Sequence, residues 1–184
     1  MLQLILSLVL LLIIVAYLSF LFENEISKNR KDRVIYYSSN LKQQGKLLEE
    51  VIRKYVPDVS DYALIEPGAG LGRVSQYLAT RFPWKEVIAV ECMPVIFTAG
   101  RLRNRLLRTR VRFVRRDIFA WDMPKPAVVY CYLFPQLMEK LYKEGQLEGR
   151  LVISLTFAIP DVTPTEKVEF KGWQSPLWVY DFRK

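Results

Sequence analysis

The chain has 184 residues, 27 Lys and Arg against 19 Asp and Glu, and a formal net charge of +8. It contains no histidine, which excludes the usual general base of hydrolase triads and the commonest zinc ligand. Cys92 and Cys131 are too few for a disulfide scaffold or a metal framework and read as small apolar residues, so no metal site is expected.

In chain order, the first element is an uncharged run from Leu2 to Phe22, "LQLILSLVLLLIIVAYLSFLF". At ~1.5 Å per residue such a helix spans roughly 31 Å, the hydrocarbon thickness of a bilayer. No basic residue precedes it and Glu23–Asn24–Glu25 follows, which favours an uncleaved anchor over a signal peptide. Lys28, Arg30, Lys31 and Arg33 then place the downstream domain on the cytoplasmic side, as a single-pass membrane protein. The expected organisation is an anchor over 1–22, a juxtamembrane linker over 23–37 and one domain over 38–184.

Ser38, Ser39 and Asn40 offer caps for an amphipathic helix over 40–56, in which Leu47, Leu48, Val51, Ile52 and Tyr55 recur at helical spacing. "YALIE" (62–66) is a short strand, followed by a glycine loop and a helix carrying Val74, Tyr77, Leu78 and Phe82. "EVIAVE" (86–91) is a second strand, and Pro94 opens a helix to about Leu107. Further strands fall at 111–117, 127–133 and 150–157, with a helix over Pro135–Lys143. "KVEFK" and "PLWVYDF" read as a closing hairpin. The alternation predicts an α/β fold with an open, largely parallel sheet and an antiparallel C-terminal edge.

The loop "IEPGAGLG" (65–72) narrows the ligand class. A phosphate-binding P-loop needs Lys and then Ser or Thr after its last glycine, whereas Arg73–Val74 follows Gly72. A dinucleotide fingerprint needs its third glycine where Arg73 stands. Glu66, at the C-terminal end of the first strand, would repel a pyrophosphate. It suits a ligand with a cationic head and no phosphate, such as S-adenosylmethionine. Gly68, Gly70 and Gly72 let the backbone pass close to such a ligand. Glu91 ends the second strand, where an acid accepts hydrogen bonds from ribose hydroxyls. Asp117 ends the third, where a carboxylate can take an adenine amino group. Three acids thus close three successive strands.

With "IEPGAGLG", "VIAVE" and "RRDIF", the chain resembles the class I S-adenosylmethionine-dependent methyltransferases, which have a Rossmann-like sheet. More narrowly, it resembles the membrane-associated lysine methyltransferases that modify the c subunit of ATP synthase and the adenine nucleotide carrier. "YYSSNLKQ", "VVYCYLFPQLMEKL", "VISLTFAIPDVTP", "LWVYDF" and the N-terminal hydrophobic run carry that likeness. The resemblance implies that Glu66, Pro67, Gly68, Ala69, Gly70 and Gly72 hold the methionine part of the donor. It places Glu91 and Cys92 at the ribose, and Asp117 and Ile118 at the adenine. It puts the acceptor amine in a slot lined by Tyr132 to Pro135, with Tyr132 as the candidate catalytic side chain. Many relatives that methylate nitrogen carry an Asn/Asp-Pro-Pro-aromatic motif after the fourth strand, where "YLFP" stands here. The expected acceptor is therefore a lysine of a membrane or membrane-proximal protein; a lipid, quinone or other small amphiphile, or RNA, is the alternative.

One feature lies outside that pattern. Residues 101–116, "RLRNRLLRTRVRFVRR", hold eight Arg and no acid, while the rest of the chain is balanced at 19 basic and 19 acidic residues. A solvated face or attraction to an anionic lipid surface explains such a strip. Nucleic acid is disfavoured, since Phe113 is the strip's single aromatic and base-stacking platforms need several.

Overall fold

A computed structural model describes residues 41–170 and 173–183, together with residues 3, 6, 7, 9–11, 13–15 and 17 of the N-terminal run. The expected linker, the basic cluster after the apolar run and the caps at Ser38 to Asn40 lie outside the described residues, as does much of the expected anchor. Those residues of the run that are described are helical, and Leu6, Val9, Leu10, Leu11, Ile13, Ile14, Val15 and Tyr17 are all exposed. Among the described residues no helix is long and apolar enough to cross a membrane.

The rest is one seven-stranded sheet with helices on both faces. Its elements are α1 (Leu41–Tyr55), β1 (Ala63–Pro67), α2 (Arg73–Ala79), β2 (Glu86–Val90), α3 (Pro94–Leu107), β3 (Val111–Val114), β4 (Ala127–Cys131), α4 (Pro135–Lys143), β5 (Leu151–Leu155), β6 (Glu166–Phe170) and β7 (Trp173–Asp181). A single 3-10 turn spans Ile118–Ala120. The strand order is β3-β2-β1-β4-β5-β7-β6, with β1 to β5 parallel and β7 antiparallel to both β5 and β6. The expected parallel sheet and antiparallel edge are both present.

Strands β1, β4 and β5 are buried along their whole length because both of their faces are covered, and apart from Glu66 and Ser154 their side chains are those of a core. Alternate side chains point to opposite faces and build two cores. Leu64, Leu78, Val128 and Ile153 join Leu48, Val51 and Ile52 of α1 in one. Ile65, Ile88, Val129 and Val152 join Met138 and Leu141 of α4 in the other. Right-handed crossovers explain this division. The steps from β1 to β2 to β3 run one way along the sheet and put α2 and α3 on the α1 face. The step from β4 to β5 runs the other way and puts α4 opposite.

Four strands are shorter than expected: the second ends at Val90 instead of residue 91, and the fifth spans Leu151–Leu155 within the expected 150–157. The third was read as 111–117 but ends at Val114, where the edge of the sheet leaves Arg115 and Arg116 exposed. The fourth was read as 127–133 but ends at Cys131, because Pro135 already opens α4. At the foot of β5, buried Arg150 substitutes for a turn. Its guanidinium donates to the carbonyls of Gln146 and Glu148 (2.9 Å each), Pro124 (3.3 Å) and Met123.

The sheet's direction of winding reverses between β1 and β4, which are neighbours. A crevice for a ligand opens outside the C-terminal ends of the strands at such a reversal.

Candidate functional site

The glycine loop occupies that crevice. Glu66 and Pro67 are the last residues of β1, and Gly68, Gly70 and Gly72 all take positive φ (68°, 58° and 66°). The turn is pinned to β2, since Ala69 N donates to Val90 O (2.9 Å) and Gly72 N to Ala69 O (2.8 Å). Gly68 is exposed, whereas Ala69, Gly70 and Gly72 are buried. Glycine is required at Gly72 for two reasons. Its backbone is left-handed, and a Cβ there would lie 2.4 Å from Phe113 Cζ of β3. The same ring blocks a Cβ on Gly100 of α3 at 2.5 Å. Gly72→Ala is expected to cost about 2–4 kcal/mol, adding left-handed strain to the clash. Gly100→Ala meets the ring with a helical backbone and should cost less. Thermal melts of the two variants measure the difference.

The acids are set by the loop and the strand ends. Glu66 is buried, and its Oε2 accepts from Ser75 N (2.8 Å) and Ser75 Oγ (2.5 Å) in the first turn of α2. Burial pushes the Glu66 carboxyl up to about 7; the Ser75 hydrogen bonds oppose this and the charge of Glu91 adds to it. Glu91, just beyond β2, is also buried and accepts from Gly70 N through Oε2 and from Met93 N through Oε1, both at 2.9 Å. One carboxylate thus fastens the glycine loop to the start of α3. Asp117 is exposed and caps the 3-10 turn, its Oδ1 accepting from Phe119 N (3.0 Å), while Ile118 packs against the second core.

The expected donor-site residues therefore come together. Glu66 feels Glu91, the Cys92 thiol feels Glu91 and Asp117, and the Cys131 thiol feels Glu66. Both thiols are pushed up, first by desolvation and then by these acids. Although part of Cys92 reaches the surface, its thiol lies near 11. Neither cysteine is a ready thiolate at neutral pH, and buried Cys131, unlike exposed Cys92, sits as a small apolar residue would. Among the described residues, neither Glu66 nor Glu91 is in a salt bridge. Two buried acids that feel each other's charge thus have no ion-pair partner among the described residues.

At the ends of β4 and β5, Tyr132 stacks on Phe157 (centroids 6.1 Å apart) and Phe134 tilts against the same ring (5.5 Å). All three rings are half-buried. Ser154 Oγ donates to Phe157 O (2.6 Å) and Trp178 Nε1 to Thr156 O (3.0 Å), fixing the turn that carries Phe157. Sequence reasoning named Tyr132 but missed Phe157 and Ser75. The readable signal for Ser75 was a hydroxyl in the first helical turn after the loop; for Phe157 it was an aromatic just past β5, matching the position of Tyr132 past β4.

Residues 66–166, more than half the chain, match the family described as ANTKMT methyltransferase domain. The chain belongs to this family. It is a methyltransferase of class I. The match begins at Glu66 and takes in the glycine loop, all three acids and the aromatic cluster. Among curated proteins, none matches the chain. Solved structures share the family's fold. An RNA methyltransferase from Salinibacter ruber, in complex with S-adenosyl-L-homocysteine, is 22% identical; the match covers 74% of this chain and 90% of that one, with a TM-score of 0.64. The rRNA methyltransferase AviRa from Streptomyces viridochromogenes is 13% identical over 80% of this chain and 87% of its own, with a TM-score of 0.58. An S-adenosylmethionine-dependent methyltransferase from Clostridium acetobutylicum is 16% identical over 73% of this chain and 58% of its own, with a TM-score of 0.52.

Proposed function

We propose that this methyltransferase modifies lysine side chains of a membrane or membrane-proximal protein, and that its N-terminal run anchors it in that membrane with the catalytic domain on the cytoplasmic side. Its methyl donor is S-adenosylmethionine. When bound, the donor supplies a methyl group on a sulfonium, already activated for in-line displacement. The residues fit a ligand of that charge. The observation that carries the reading is the pair of buried acids, Glu66 and Glu91, with no ion-pair partner among the described residues, beside a loop of left-handed glycines. A cationic head relieves their mutual repulsion, whereas a pyrophosphate would add to it.

In this reading Glu66 and the loop from Pro67 to Gly72 hold the amino-acid end of the donor. Glu91, with Cys92, keeps its remaining acceptor capacity for the ribose, and Asp117 and Ile118 border the adenine. The support for lysine is the family match together with the rings of Tyr132, Phe134 and Phe157. An amine entering between half-buried aromatic faces loses water, which lowers its pKa and frees the lone pair for attack. Tyr132 orients the amine, and the fixed turn at Thr156 holds Phe157 against it. No side chain need act as a strong base, and the enzyme's work is alignment and exclusion of water. The support for the anchor is the exposure of Leu6, Leu10, Ile13 and Tyr17 on described helical residues, an apolar surface that no core covers.

The decisive experiment incubates the enzyme with isotopically labelled S-adenosylmethionine and membranes from cells that lack it. Label recovered on lysine of a protein supports the reading. Label confined to lipid or RNA overturns the acceptor. Membranes carrying the full chain should retain it through a high-salt wash; release into the supernatant would exclude the anchor.

A further inference from the structure

We propose that the outer face of α3, with the adjoining β3 edge, rests on the headgroups of an anionic bilayer. Ala99, Leu102 and Leu106 follow one another at helical spacing on the side of α3 away from Ile96 and Gly100, which are buried. Leu102 and Leu106 are 59% and 75% exposed, and Leu107 is 50% exposed at the helix end. Arg101 and Arg105 flank these leucines, and Arg108 closes the helix. Beyond them an open groove of about 770 Å³ runs between α3 and β3, lined by Arg101, Leu102, Arg105, Arg108 and Arg112. Asn104 Nδ2 donates to Val111 O (2.9 Å), which locks the helix to the strand so that both present one rigid surface.

The charge on this face is available to a partner. Arg103 is engaged by Gln76 and Arg112 by Glu86. Among the described residues, Arg105, Arg108, Arg110, Arg115 and Arg116 form no salt bridge. An anionic surface complements such a cluster, and exposed leucines between arginines are the composition of a helix lying in a headgroup layer. RNA is the weaker match, because a base-stacking platform needs several aromatic rings and this face has one. Phe113, the strip's single aromatic, is half-buried, edge-on to Phe97 and close against Gly72 and Gly100. The contact would hold the domain flat to the surface independently of the N-terminal run, of the donor and of the acceptor.

The test uses the full chain with Ala99→Cys in a Cys92→Ser background, buried Cys131 being protected. A polarity-sensitive fluorophore is attached at position 99 and the protein is reconstituted with vesicles of phosphatidylcholine alone or mixed with phosphatidylglycerol. The expected result is a blue shift, and quenching by lipids brominated near the headgroup, only in the mixed vesicles, reversed by high salt. Exchanging Arg101, Arg105 and Arg108 for Gln should lower the docking equilibrium constant, read from a lipid titration, about 5-fold for each arginine removed. These side chains are exposed, and circular dichroism verifies that the variants stay folded. Leu102→Ser with Leu106→Ser should keep the salt-sensitive association but lose most of the blue shift. Emission that is identical in both vesicle types overturns the proposal, even if the N-terminal run holds the protein on both. So does a response to a single-stranded RNA oligonucleotide with none to anionic vesicles.

Discussion

Glu66→Gln is expected to make the ligand-free protein more stable at pH 8 while weakening its hold on S-adenosylmethionine. The argument starts from burial. Inside the protein the carboxyl is pushed from its ordinary 4.5 up to about 7, so the native state binds its proton more tightly than the unfolded chain does. The contribution to stability is complete below pH 4.5 and is lost as pH rises through about 7, because the folded protein must then hold a desolvated charge. A shift of this size corresponds to about 3 kcal/mol above pH 7. Gln keeps a carbonyl for the Ser75 N–H but brings an amide that needs an acceptor, so a net gain of about 1–3 kcal/mol is expected. Below pH 5 the advantage should vanish. Donor binding should move the opposite way. The wild type should bind more tightly as pH rises through about 7, because the ionised carboxylate is the form that attracts a cationic head. The variant should bind about 10- to 100-fold more weakly at pH 8 and show no such rise. Melts at pH 5 and pH 8, paired with calorimetry at the same values, measure both halves. A variant that melts lower than wild type at pH 8 and binds the donor undiminished would sink the account of Glu66.

That trade between stability and binding was half legible in the sequence. The acid at the end of "YALIE" and the missing phosphate signals pointed to a cationic ligand. The sequence offered Ser75 as a hydroxyl in the first turn after the loop but not its bond to the carboxylate nine residues back, because a helix hydroxyl declares no partner in a sequence. Three of the strands were readable for a related reason. A strand covered on both faces must be mostly apolar, and "ALIEP", "AVVYC" and "LVISL" leave little else to be. The position of β7 was not read, although its composition hints at it. Leu177, Val179 and Tyr180 are buried on both faces, as an interior strand requires, whereas Glu166, Lys167 and Glu169 of β6 suit an edge. Arg150 was invisible, because its partners are four carbonyls from turns that only the finished fold brings together. The arginine strip was plain as charge, but only the structure shows which leucines share its face.

The second large effect is expected at Glu91, where one side chain has two separable jobs. Its oxygens take the N–H groups of Gly70 and Met93, both inside the protein, so Glu91→Ala leaves two donors without partners. Each orphaned N–H costs about 1–3 kcal/mol, which predicts a loss of about 2–5 kcal/mol in urea melts and a loosened glycine loop. Glu91→Gln keeps one acceptor and should lose less than half as much, leaving a folded protein in which the ribose role can be tested alone. If Glu91 accepts from the ribose hydroxyls, a deoxyribose analogue of the donor will bind wild type more weakly than the donor itself does, and the gap will shrink in Glu91→Gln. Such a cycle isolates the coupling between carboxylate and hydroxyl from any general slackening of the loop. A gap that stays the same in both proteins would confine Glu91 to the structural job, holding the loop to α3, and would move the ribose contact to another group at the mouth of the crevice.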